Sequence, residues 1–496
     1  MADARRLAAR FVALATFAVP FVLFDRLILF DMYGHGELLH DTGLLASLMW
    51  HAKPSLPVPS WYGGQSFFAI HVAPLLLLVS ALGALLPLTP AQTFAAFVGI
   101  SHGLLALAMF ALLVVGEDGR RAPVLALASV ASVCFASLGL ALDIALFPHF
   151  ETFGAACLLL TFAALARRRH ALAAVCFLLA LATREDVGLH GFGFLALWAA
   201  ANRWRGVAWR NNRWIVGFAL AGLIYSTTAL IGQHTLVPEP SAFARTYLGN
   251  PPLAHLSWSL VAGRLRAWAD FHATSILLPA AVAAIWAVRA RDPAVWLGFA
   301  ACIPWAVLQL AAFQDLPGLL VGYYAYPFLI ALAWPPLAGL IRRQAGPSLP
   351  APGWPPAAAM AAISAVAVLP LGHRWNIEHI PLPDAFLLAP TAAQQSATDR
   401  VVAILAAAPP ELGALVVDDG IASLAPRAFA RPQIAIWAHR PPDTIAYFPT
   451  GLLAGRFRPW ANLPRGYRIA GTALRLDTNR PTEAIEAVGI PLQPSP

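Results

Sequence analysis

Apolar stretches of span length recur along the first three quarters of the chain, over residues 9–30, 92–115, 122–143, 152–167, 170–183, 187–201, 214–234, 275–289, 294–314, 318–340 and 354–371. A helix needs roughly 17–25 apolar residues to cross a bilayer, so this pattern predicts about eleven transmembrane helices. One more apolar stretch, His71–Leu86, is short, opens on a histidine and contains Pro74. It is predicted to lie in or dip into the outer interface. From His373 the apolar runs shorten while prolines and charges rise. There RVVAILAAAP reads as a helix, GALVVDD, QIAIW and TIAYF as strands, and YRIAGTALRLDT as a hairpin. The expected fold is an all-α polytopic membrane protein over residues 1–371, with a first outer loop and juxtamembrane helices over 31–91. A small α/β domain outside the cytoplasm follows over 372–496.

Composition fits a bilayer. Hydrophobic residues make up 59% of the chain and charged residues 12%, about half the charge of a typical soluble domain. The net charge of +8 sits as short arginine clusters between apolar runs, with no basic stripe interleaved with aromatics. That pattern excludes nucleic acid as a partner and leaves membrane lipids. Cys134, Cys157, Cys176 and Cys302 all fall inside apolar runs and read as small buried hydrophobes. MADARRLAARF begins like a signal peptide, but Phe11–Phe30 is too long for one and reads as an uncleaved first span.

Arginine positions set the expected orientation. Arg5, Arg6 and Arg10; Arg120 and Arg121; Arg167–Arg169; Arg203, Arg205, Arg210 and Arg213; Arg289 and Arg291; and Arg342 and Arg343 fall on one side, provided His71–Leu86 is not a span. The positive-inside rule then places the N-terminus in the cytoplasm and the C-terminal domain outside a bacterial-type inner membrane.

Polar chemistry gathers on the opposite, outer side. The first outer loop holds Glu37, His40, Asp41 and Lys53; the second, LDIALFPHFET, holds Asp143, His149 and Glu151; the third, TREDVGLH, holds Arg184, Glu185, Asp186 and His190. The spans around the second and third loops are short, so these loops sit below the outer surface, where polar backbone is tolerated only around a protein cavity. Asp41 reads as a helix N-cap or as a functional carboxylate. His71 reads as an interfacial residue or a ligand, and His149 with Glu151 as a bonded loop pair or a site. Arg184, Glu185 and Asp186 form either a satisfied ion network or a phosphate-binding arginine beside a proton-accepting acid. Tyr323 and Tyr324 read as an aromatic belt or a substrate wall. In the tail, Asp418 and Asp419 end a strand. No Walker loop, GxGxxG or HExxH occurs, and no ligand spacing demands a divalent metal, although the acids could hold one.

Together, HDTGLLASLMW, FFAIHVAPLLLLVSAL and FPHFETFGAACLLLTFAALARRRHALAAVCFLLALATREDVGL resemble the DUF2079 family of predicted integral membrane proteins, over at least residues 38–200. That family is similar in organisation to the GT-C glycosyltransferases, whose donors are polyprenyl-phosphate sugars. The resemblance implies a hexosyl or pentosyl transferase with a lipid-linked sugar donor. It implies Asp41 as the base toward an acceptor hydroxyl, and Glu151, Glu185 or Asp186 as holders of the sugar or a metal. It implies Arg184, with His71 or His149, as the donor-phosphate ligand. His40 stands where the family usually shows a tyrosine, at a place of acceptor contact. A transporter or lipid flippase, and a non-catalytic scaffold, are the competing readings.

Overall fold

The computed structural model describes residues 2–345, apart from 31, 34–39, 51–53, 57, 59–65, 115–120, 138, 146 and 237–242. Beyond residue 345 it describes Ala392 and the backbone of six strands. Glu37, Lys53, Arg120, Asp418, Asp419, the stretch 354–371 and the helix expected at 400–409 lie outside the described residues, as do the side chains of His40 and Asp41.

Each apolar stretch predicted within the described residues is helical. The helices are α1 (Ala2–Phe30), α2 (His40–Trp50), α3 (Leu75–Gly83), α4 (Pro90–Leu113), α5 (Ala122–Ser137), α6 (Leu140–Ala145), α7 (Glu151–Ala166) and α8 (His170–Leu181). They continue with α9 (Val187–Trp204), α10 (Trp209–Leu236), α11 (Trp258–Phe271), α12 (Leu278–Arg289), α13 (Leu297–Leu310), α14 (Asp315–Gly318) and α15 (Tyr326–Ala345). Four helical segments among the described residues are long and apolar enough to cross a bilayer: Asp3–Phe30, Pro90–Leu113, Trp209–Leu236 and Asp315–Arg342. A fifth arises if the pair Trp258–Phe271 and Ala273–Arg289, bent by 78°, counts as one span. The chain is therefore a membrane-associated helical protein. At 1.5 Å per residue, α7 and α8 reach only about 24 Å and 18 Å, short of a hydrocarbon core of about 30 Å.

The helix expected from His71 begins instead at Leu75, after Pro74. Its first residues are diverted: the Val72 amide donates to Glu185 Oε2 at 2.8 Å, and the Leu75 amide donates to the Ala182 carbonyl at 2.8 Å. Those amides are satisfied by the turn between α8 and α9, so His71 and Val72 stay extended ahead of the helix.

The chain divides into two compact units. The first comprises Met1–Phe24, Ala69–Leu75 and Val98–Pro381; the second comprises Asp25–Phe68, Leu76–Phe97 and Leu382–Pro496. In the first unit α9 packs along α10, α7 along α8, and α15 against α7 and α13. Gly188 and Gly222 bring α9 and α10 together backbone to backbone, since a Cβ on Gly222 would stand 2.7 Å from the Gly188 carbonyl oxygen. Phe150, Phe162, Phe194, Tyr326 and Trp334 are fully buried there, and the Trp334 indole donates to the Ala294 carbonyl at 2.8 Å.

In the second unit, α2, α3 and the start of α4 meet where Gly83 faces Thr93 and the Met49 carbonyl. The same unit carries the strands β1 (Leu415–Val416), β2 (Ile434–Ala435), β3 (Ile445–Phe448), β4 (Tyr467–Ile469), β5 (Ala473–Leu476) and β6 (Leu492–Pro494). One sheet has the order β2-β1-β3-β5, with β1 parallel to both neighbours and β5 antiparallel to β3; β4 pairs antiparallel with β6. The expected strands at GALVVDD, QIAIW and TIAYF are present. The expected hairpin is not a paired ladder among the described residues: β5 pairs with β3 and β4 with β6, in separate sheets.

Candidate functional site

Two helix starts and one turn build a polar cluster inside the first unit. Glu151 opens α7, where a carboxylate sits favourably at the positive end of the helix dipole. Asp186 occupies the N-cap position of α9, but its side chain makes no capping bond. Both carboxylates turn instead to Arg184. Its Nη1 donates to Glu151 Oε1 at 2.6 Å and its Nε to Asp186 Oδ1 at 2.6 Å, and Nη2 completes a bidentate grip on Asp186 Oδ2. Glu151 is wholly buried and the Arg184 side chain is 5% exposed. The guanidinium also lies 5.5 Å from the centre of the Tyr326 ring. Burial pushes the Asp186 carboxyl up, but the bonded Arg184 outweighs it and holds the group well below the usual carboxylate range.

Histidines flank this core. His149 Nδ1 bonds the second oxygen of Glu151, and its ring stacks on Tyr323 with centroids 4.3 Å apart. His71 Nδ1 bonds Glu185 Oε1 at 2.9 Å, while Glu185 Oε2 accepts the Val72 amide. The His71 and His149 rings meet edge to face at 6.3 Å. His190 Nε2 lies 3.8 Å from Asp186 Oδ2, one helical turn on. Tyr323 is delivered by the turn Gly322–Ala325. Gly322 has φ +59°, and a Cβ there would meet Phe147 Cβ at 2.6 Å, so glycine is needed on both counts. Tyr323 and Tyr324 share a hydroxyl hydrogen bond at 3.1 Å.

The structure thus brings together Glu151, Asp186, His71, His149, Arg184, Glu185, Tyr323 and Tyr324. His40 and Asp41 form the first turn of α2, in the second unit. His190 of the TREDVGLH turn joins the cluster, as do three residues not singled out from sequence: Trp305, Tyr247 and Gln309. The His190 ring stands 4.9 Å from Trp305 and 5.2 Å from Tyr326, and Gln309 Nε2 donates to the Tyr247 hydroxyl at 3.1 Å. The fully buried Tyr326 hydroxyl and the Gln309 side-chain carbonyl have no hydrogen-bond partner. His190 was legible as the i+4 neighbour of Asp186; Trp305 and Gln309 sit in the apolar helix α13, and Tyr247 in the short turn Ala244–Leu248 between predicted spans.

The arrangement orients carboxylates, presents imidazoles and walls both with flat aromatic faces. Three of the five N–H donors of Arg184, one on each nitrogen, go to carboxylates, so its side-on Nε/Nη2 edge is taken by Asp186. Three carboxylates face one guanidinium and three histidines, so an anion meets an unfavourable field unless the histidines are charged. Among the described residues no group of three or more His, Cys, Asp or Glu side chains is placed to hold a metal ion. No family model, no curated protein and no solved structure matches the chain.

Proposed function

We propose that this protein is a membrane glycosyltransferase that moves a sugar from a polyprenyl-phosphate donor to an acceptor on the outer side of the membrane. The observation that carries this reading is the pair of carboxylates, Glu151 and Asp186, fixed on Arg184 inside an apolar bundle and walled by Tyr323, Trp305 and Tyr326. Buried carboxylates accept hydrogen bonds from hydroxyls, and flat aromatic rings stack on the apolar faces of a sugar. A neutral polyhydroxylated ring suits this cluster better than a phosphate, so we assign Glu185 and Asp186 to the sugar, with Glu151 behind them on Arg184. The fuller architecture belongs to the same proposal: eleven spans, a cytoplasmic N-terminus, and an α/β domain over 372–496 outside the membrane.

The test is transfer by purified protein in proteoliposomes, offered polyprenyl-phosphate glucose, mannose, galactose and arabinose in turn with octyl glycosides as acceptors. Transfer from one donor supports the reading, and none from any donor sinks it. Asp41→Asn in the same assay tests the role that the resemblance gives Asp41, and full transfer by that variant removes it.

One observation favours a transporter instead. His71 with Glu185, and His149, Glu151, Arg184, Asp186 and His190 in sequence, make a chain of titratable groups of the kind that relays protons in membranes, alongside helices bent by 78°. Proton uptake into empty proteoliposomes driven by a solute gradient, abolished in Asp186→Asn, would establish that reading in place of transfer.

A further inference from the structure

A transferase of this kind needs a base to take the proton from the acceptor hydroxyl, and the first unit contains one of its own. His149 precedes α7 in the segment that follows α6, and its side chain is 5% exposed. Its Nδ1 is held by Glu151 Oε2, and Glu151 is in turn held through its other oxygen by Arg184 Nη1 at 2.6 Å. The ring plane is fixed a second time by the Tyr323 ring, stacked at 4.3 Å with 21° between planes. Phe150 closes a third side, with ring centroids 4.1 Å apart. With Nδ1 committed to the carboxylate, the neutral ring carries its proton there, and Nε2 is an unprotonated acceptor. This is the logic of a carboxylate–histidine dyad, in which the acid sets tautomer and orientation and steadies the imidazolium that forms.

We propose that His149 is the general base of the transfer reaction and that Glu151, braced by Arg184, is its positioning residue. The inference rests on the transferase reading. In the step it describes, the acceptor O–H gives its proton to His149 Nε2 while the acceptor oxygen forms a bond to the anomeric carbon. The bond between that carbon and the phosphate oxygen breaks, and polyprenyl phosphate leaves with the electron pair. The imidazolium lies against Glu151 until the proton passes to the leaving phosphate or to water. Glu185 holds His71 in the same manner at 2.9 Å, and the two imidazoles face each other edge to face. His71 is therefore placed to orient a hydroxyl beside the base.

The experiment uses the four-donor proteoliposome assay on full-length protein. His149→Gln is expected to lower kcat by about 10²–10⁴-fold, the usual contribution of a general base, with KM changed only a few-fold. His149→Ala is expected to recover part of its rate with added imidazole, which a packing role for the ring would not produce. Glu151→Gln presents an amide N–H to Nδ1 and so favours the wrong tautomer; it is expected to lower kcat while leaving KM near wild type. Wild-type transfer that His149→Gln leaves at full kcat overturns the base and leaves the transferase reading standing. A loss in His149→Ala that imidazole does not restore, accompanied by a fall in thermal stability, also overturns it in favour of packing. No transfer by wild type from any donor removes the transferase reading and the base with it.

Discussion

Replacing Arg184 by methionine keeps the length and apolar stem of the side chain while removing its charge and three hydrogen bonds. It takes the guanidinium from two carboxylates, Glu151 with no exposed side-chain surface and Asp186 with 16%, and leaves them only histidine partners. Removing one partner of a buried pair costs about 3–5 kcal/mol, because the remaining charge loses its compensation. Hydrogen bonds to charged groups, at about 1.5–3 kcal/mol each, bound the loss from above. We expect Arg184→Met to lose about 3–5 kcal/mol at pH 7, measured by SDS-induced unfolding in mixed micelles. The pH dependence is diagnostic. In wild type the Asp186 carboxyl is held below the usual range, so its contribution is present above the unfolded value of about 3.9 and is lost as pH falls through the folded one. Without Arg184 burial is opposed only by His190, the carboxyl protonates more readily, and the variant escapes part of its penalty. The gap between variant and wild type should therefore narrow from pH 7 to pH 5. A loss under about 1 kcal/mol, the value of an exposed pair, or a gap that does not change with pH, would refute the argument that this is a desolvated, mutually compensated network.

Three further outcomes follow from the same geometry. Wild-type stability should fall steeply below about pH 4, and Asp186→Asn should flatten that fall in the same unfolding assay. Gly188→Ala would drive a Cβ against the Gly222 carbonyl, with Ser226 Oγ at 2.5 Å and the Gly222 carbonyl carbon at 3.0 Å. It should cost about 1–3 kcal/mol, visible as a lower Tm in detergent. Glu185→Ala leaves the Val72 amide without its acceptor, so hydrogen exchange at Val72 should accelerate and stability should drop by about 1–3 kcal/mol.

Much of this was legible in sequence because apolar runs of span length have few alternatives to helix. The short helices α7 and α8 and the polar turn between α8 and α9 followed from counting residues against bilayer thickness, and the turn's Arg184, Glu185 and Asp186 do form the centre of the cluster. What counting cannot supply is pairing. Nothing local says that Arg184 grips both Asp186, two residues away, and Glu151, 33 residues away. The start of α3 shifted from His71 to Leu75 for a similar reason: the Glu185 side chain took the Val72 amide and the Ala182 carbonyl took the Leu75 amide, both from a distant turn. Trp305 and Gln309 were illegible because a polar tip on an apolar helix looks the same whether it lines a site or fills a core, and Tyr247 because it lies in a loop between predicted spans. The tail shows the same limit, since the ladders among the described residues join β5 to β3 and β4 to β6, pairings that adjacency along the chain does not reveal.

The network invites a structural explanation, and energetics can separate that from a functional one. Replacing a buried ion cluster by apolar groups of similar volume is often neutral or stabilising by about 1–4 kcal/mol, because the desolvation of each charge is no longer incurred. Glu151, Arg184 and Asp186 form such a cluster within an otherwise apolar bundle. Satisfying a fold there would need only leucine or methionine. We therefore expect the triple variant Glu151→Met, Arg184→Met, Asp186→Leu to unfold at or above the wild-type SDS fraction while losing transfer entirely. A triple variant that unfolds earlier than Arg184→Met alone would make the cluster a structural clamp. One that is as stable as wild type and still transfers sugar would leave these charges without the catalytic role assigned to them.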